Sequence, residues 1–159
     1  MIGTTNIIVL IIVTILLIIA CVFMFKDRKK DMKNFDFIKI EEQMKRSYEE
    51  EGLNTLDFMD VASLFGIDTN EIPDSVFLGN INAEEMTKEN MMLIVAINTK
   101  KVDFYYDSLY SYIESNKMNL ENEKTLKLFD SAILKKGLNY VYLIMSEDPK
   151  LVEKELNAI

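Results

Sequence analysis

The spacing of apolar positions changes several times along this chain, and each change marks an element. From Ile7 to Phe25, nineteen consecutive residues carry no charge, and fifteen of them are Ile, Leu, Val or Phe. As a helix rising about 1.5 Å per residue the run reaches roughly 28 Å, against a hydrocarbon core of about 30 Å, so it is predicted to be a transmembrane helix. Thr14 can return its hydroxyl to a carbonyl one turn back. A cleaved signal peptide would need a basic start and an apolar core of about 7 to 15 residues. Met1 to Asn6 holds no Lys or Arg.

Helical spacing resumes at Phe37, Ile40, Met44 and Tyr48, with Glu41, Glu42, Lys45, Arg46 and Glu49 on the other faces and Gly52 as a stop. Asn54-x-x-Asp57 reads as a capping box before a second helix, Leu56 to Phe65, whose stripe of Phe58, Val61, Leu64 and Phe65 ends at Gly66. Residues 67–74 form a loop punctuated by Pro73. Val76-Phe77-Leu78 and the unbroken apolar run Met91 to Ile97 have strand character, with a polar stretch over 80–90 between them.

Val102, Tyr105, Leu109 and Ile113 line one helix, and Leu126, Phe129, Ala132 and Ile133 the next, closed by Gly137. Tyr140 to Met145 is the third strand, and Asp148-Pro149 caps a last helix in which Val152 and Leu156 face inward. The predicted fold class is α+β: an N-terminal single transmembrane helix, then one small domain with about three strands packed against helices. The strands lack clean alternation, so both sheet faces need cover. Of the ten methionines, Met91, Met92 and Met145 sit at strand ends and are assigned to the core.

The domain plan is a tail over 1–6, the membrane helix over 7–25, a basic juxtamembrane collar over 26–33 and an acidic domain over 34–159, with 34–52 as a juxtamembrane helix. Lys26, Arg28, Lys29, Lys30 and Lys33 make the collar, and this bias places the domain in the cytoplasm. The collar also suits anionic headgroups, so the lipid bilayer is the first expected partner. From Asn34 to Ile159 there are 13 basic and 24 acidic residues, a net of −11, which argues against nucleic acid as a partner. Cys21 is the sole cysteine, so no intramolecular disulfide exists. Leu17-Ile18-Ile19-Ala20-Cys21 resembles a bacterial lipobox, making Cys21 a candidate lipidation site; the missing basic start and the apolar Val22 to Phe25 argue against it.

Absence of histidine excludes Ser-His-Asp and Cys-His nucleophile systems and histidine-bearing zinc sites. No glycine-rich phosphate loop is present, and no cofactor, metal or catalytic residue is assigned. The acid pairs Glu41/Glu42, Asp57/Asp60 and Glu84/Glu85 would need a cleft and separated pKa values to act as acid and base. Asp68-x-Asn70-x-x-x-Asp74 lacks the glycine and bidentate glutamate of an EF-hand and reads as a solvated turn. Tyr106 and Tyr110, an i, i+4 pair beside the apolar stripe, are the candidate interaction anchors, against the plainer reading that their rings border the core.

Leu64-Phe65-Gly66-Ile67-Asp68, Glu71 to Phe77 and Asn139 to Asp148 together resemble a domain-of-unknown-function family of small membrane-anchored or lipoprotein envelope proteins of low-GC Gram-positive bacteria. The resemblance implies a phenylalanine-glycine turn before the first strand, an acidic step at Ala83-Glu84-Glu85 before the second, and a tyrosine-rich strand before a terminal helix. It also implies an exported domain, opposite to the charge bias, and it supplies no catalytic assignment to carry over. Two functions follow: a single-pass membrane-anchored, non-enzymatic domain for protein–protein interaction in a cell-envelope assembly, or a membrane-tethered, carboxylate-dependent hydrolase or small-ligand-binding domain. A concave pocket with carboxylates about 5 to 9.5 Å apart would favour the second. A convex surface exposing Tyr106 and Tyr110 would favour the first.

Overall fold

A computed structural model describes residues 11–22, 32–81 and 89–159. The chain divides into two compact units, Met1–Met32 and Lys33–Ile159. In the first, residues 11–22 are helical (α1) with every described side chain exposed. Twelve residues rise about 18 Å, short of the roughly 30 Å a hydrocarbon core requires. No helix among the described residues is long and apolar enough to cross a membrane. The predicted single-pass helix over 7–25 is therefore corrected to this shorter described helix; 7–10 and 23–25 lie outside the described residues, as do the tail over 1–6 and collar positions 26–31.

Among its described residues the second unit is built on an antiparallel sheet of five strands, not three. In chain order its elements are α2 (Phe37–Ser47), β1 (Asn54–Thr55), α3 (Phe58–Phe65), a 3-10 turn (Thr69–Glu71), β2 (Ser75–Gly79), β3 (Leu93–Asn98), α4 (Val102–Lys117), α5 (Glu123–Asp130), β4 (Ile133–Lys136), β5 (Tyr140–Met145) and α6 (Pro149–Leu156). The strands lie in the order β1-β2-β3-β5-β4. Central β3 pairs Phe77 with Val95 on one side and Val95 with Leu143 on the other.

Alternate side chains on a strand point to opposite faces, so an apolar residue at every position requires two covered faces. Leu93, Val95 and Ile97 of β3 join Val141, Leu143 and Met145 of β5 in one core, closed by Val61 of α3, Leu109 and Ile113 of α4 and Phe129 of α5. Ile94, Ala96, Tyr142 and Ile144 form the other, closed by Ile40 and Met44 of α2 and Val152 and Leu156 of α6. The predicted juxtamembrane helix over 34–52 is thus α2, with Ile40 and Met44 buried against the sheet.

Two strands escaped the sequence pattern. Ile133 does not continue the α5 stripe: the helix ends at Asp130, and 133–136 become an edge strand whose Lys135 and Lys136 are exposed. Gly137 donates its backbone N–H to Tyr140 O at 3.0 Å and turns the β4–β5 hairpin. Asn54, taken as the capping residue, lies in β1 instead; the cap is Asp57, which accepts from Asp60 N, and α3 starts at Phe58. Phe58 is exposed and outside the stripe assigned to it. Gly66 ends α3 with φ +66°, where a side chain would be strained.

Candidate functional site

Two regions of the second unit carry concentrated chemistry. The first is the outer surface of α4. Asp103, Asp107, Tyr110 and Glu114 recur at helical spacing opposite the buried Tyr105, Leu109, Tyr112 and Ile113. Tyr106 and Tyr110 are brought together, their rings 5° from parallel with centroids 6.4 Å apart. Tyr106 is half-buried against the core and Tyr110 is 50% exposed. Lys136 reaches across from β4 and places its Nζ 4.3 Å from the Tyr106 ring centre, while bonding Asp103 at 2.6 Å. The bond to Asp103 raises the Lys136 pKa above its ordinary value. On the other flank Phe104 is 57% exposed and meets Tyr105 edge-on.

The second region is a cleft of about 340 Å³ at one end of the sheet, on the α2/α6 side. The turn after α2 contributes Tyr48 and Glu51, the lead into β3 contributes Met91 and Met92, and the β5–α6 turn contributes Ser146, Glu147 and Asp148. Asn80 ties two walls together. Its Nδ2 donates to the carbonyls of Glu51 (3.0 Å) and Asn90 (2.8 Å), and its Oδ1 accepts from Met92 N at 2.8 Å. Asp148 caps α6 by accepting from Leu151 N at 3.1 Å. Burial, then the hydrogen bond donated to Glu155, then the charges of Glu155, Glu51 and Asp148 push the Tyr48 hydroxyl pKa up.

Comparison with known proteins finds no matching family model, no matching curated relative and no matching solved structure. The site therefore rests on its own geometry. Cys21 is exposed on α1 with a free thiol. Glu41 accepts from Lys45 at 3.4 Å, and Asp57 serves as a helix cap. Asp68 accepts from Asn70 N at 2.9 Å and starts the 3-10 turn. Glu84, Glu85 and Ala83 lie outside the described residues. Among the described residues no group of three or more His, Cys, Asp or Glu is placed to hold a metal ion.

Sequence reasoning missed the cleft, because Glu51 and Ser146 meet from opposite ends of the domain. One signal was present: Glu49-Glu50-Glu51 follows α2, where the helix dipole disfavours acidic side chains. It also missed the position of Lys33. This residue was assigned to the basic collar, yet its Nζ lies 5.2 Å from the Tyr140 ring centre, 5.4 Å from Tyr142 and 5.8 Å from Phe35. Asn139 clamps its main chain, accepting from Lys33 N at 3.0 Å and donating to Lys33 O at 2.7 Å. Burial lowers the Lys33 pKa, and Glu153 opposes that shift.

Proposed function

We propose that Lys33–Ile159 is a non-catalytic protein-interaction domain of a cell-envelope assembly, working through the outer surface of α4. The observation that carries this reading is the stacked, Lys136-braced Tyr106–Tyr110 pair, with exposed Phe104 on the other flank of the same helix. Aromatic side chains already held in place lose little freedom on docking, and such residues supply most interface energy. Asp103, Asp107 and Glu114 share the exposed stripe with Tyr110, so the partner surface offers apolar groups to the rings and basic groups to the carboxylates between them. The envelope setting comes from the resemblance at Leu64–Asp68 and Asn139–Asp148. The acid-rimmed cleft favours ligand binding as a second activity of the same domain.

A photo-crosslinking residue at position 110 tests the reading in cells. It should trap one discrete partner, the product should disappear with Phe104→Ala, and the same residue at exposed Lys150 should trap nothing comparable. Equal crosslinking from positions 110 and 150 would refute the assignment.

A further inference from the structure

The 340 Å³ cleft has a chemical imbalance that selects a ligand. Its rim carries Glu51, Glu147 and Asp148, all exposed, and among the described residues no Lys or Arg lines it. Among the described residues none of the three carboxylates has a basic partner within ion-pair distance. Its inner wall is apolar, made by the buried Met91, Met92 and Val152. Ser146 also lines the cleft; it is 6% exposed, and its hydroxyl has no hydrogen-bond partner among the described residues. An unpartnered buried hydroxyl costs stability, and a fold that keeps one in a cleft leaves an unused acceptor there.

We infer that this cleft binds a small primary alkylammonium compound, its –NH₃⁺ among Ser146, Glu147 and Glu51 and its alkyl chain against Met91, Met92 and Val152. An ammonium has three donors and no acceptor, which matches a hydroxyl oxygen and carboxylates. The methionine and valine wall favours a carbon chain over a bare metal ion, whose ligand set is absent among the described residues. The volume falls at the lower end of ligand pockets, about 300 to 1,000 Å³, so the ligand is small. Asn80 is the positioning residue, since it joins the Glu51 turn to the lead into β3.

The test titrates n-pentylammonium into the ¹⁵N-labelled full chain, with n-pentanol as the uncharged control, and follows amide signals. Pentylammonium should shift Met92, Glu147, Asp148 and residues 150–152 saturably, pentanol should not, and rising salt should weaken the binding. The variant Glu51→Gln with Glu147→Gln replaces exposed side chains and should weaken binding by about tenfold or more. Ser146→Ala should weaken it about fivefold while leaving thermal stability equal or higher, because the hydroxyl it removes has no partner among the described residues. Equal binding of pentanol, unchanged affinity in the double variant, or shifts spread evenly over the domain would each overturn the proposal. None of these outcomes depends on the α4 surface.

Discussion

Replacing Glu153 by Gln isolates one charge whose partners are all defined. Glu153 projects from α6 beneath the edge of the sheet, accepts from Lys135 Nζ at 2.6 Å and from the Tyr142 hydroxyl, and is 17% exposed. Burial on its own would raise its pKa; the Lys135 and Tyr142 hydrogen bonds and the charges of Lys135 and Lys33 outweigh it and hold the carboxyl below its ordinary 4.5. Burial and the bond to Glu153 together push the Tyr142 hydroxyl pKa up. A hydrogen bond to a charged group contributes about 1.5 to 3 kcal/mol, but Lys135 is 56% exposed, so its share falls to the surface value of about 0.2 to 1 kcal/mol. Gln keeps an acceptor for Tyr142 and loses about 1 kcal/mol by accepting as a neutral group. The expected cost of Glu153→Gln is about 1 to 2 kcal/mol at neutral pH. The sign with pH follows from the depressed folded value. The carboxylate contribution is complete above the unfolded pKa near 4.5 and is lost as pH falls through the folded pKa. Urea unfolding of both chains across the acid range should therefore show the penalty shrinking toward zero at low pH. A penalty constant from neutral to acid pH would refute the electrostatic account.

Three further outcomes follow from particular contacts. Asn139→Ala removes both bonds to the Lys33 main chain (3.0 and 2.7 Å), so amide exchange at Lys33 and Asn34 should accelerate while the central strands stay protected, at a cost of about 1 to 2 kcal/mol. Asn80→Ala leaves Met92 N–H without its side-chain acceptor and should cost about 1 to 3 kcal/mol in urea unfolding, with amide shifts concentrated at Glu51 and Met92. At Gly79 a Cβ would meet Leu56 Cδ2 at 3.1 Å and Leu93 Cδ1 at 3.2 Å, so Gly79→Val should lower stability by about 1 to 3 kcal/mol by overpacking.

The sequence made some elements readable and concealed others for definite reasons. β3 and β5 are central strands covered on both faces, and burial there leaves an apolar residue at nearly every position, a pattern few other elements of that length share. β4 is an edge strand with Ile133 and Leu134 half-buried and two exposed lysines, and Leu126, Phe129, Ala132 and Ile133 imitate a helical stripe across its boundary. The turn at Ser131 that breaks the imitation leaves no glycine or proline to announce it. Length alone misled at the N-terminus, where nineteen uncharged residues suggested a membrane span and the described helix covers 11–22. The pairing of the Tyr106 and Tyr110 rings was legible because both sit on one helix at a fixed spacing. Lys33 was not, because a lysine after an oily run reads as a collar, and its aromatic surroundings come from Phe35 and from β5.

The sheet decides how the two candidate surfaces relate. The α4 aromatic surface lies over the layer that covers Val95 and Leu143, whereas the cleft takes Met92 and Val152 from the layer that covers Ile94 and Ile144 and reaches the other layer only at Met91. Side chains of one strand pass alternately into the two layers, and the close-packed strand between them transmits little from an exposed substitution on one side to the other. Tyr110→Ala therefore should leave pentylammonium affinity unchanged, and Glu51→Gln with Glu147→Gln should leave crosslinking at position 110 unchanged. Loss of both activities in either variant would mean that the two faces act as one site, and the separation argued from the sheet would fail.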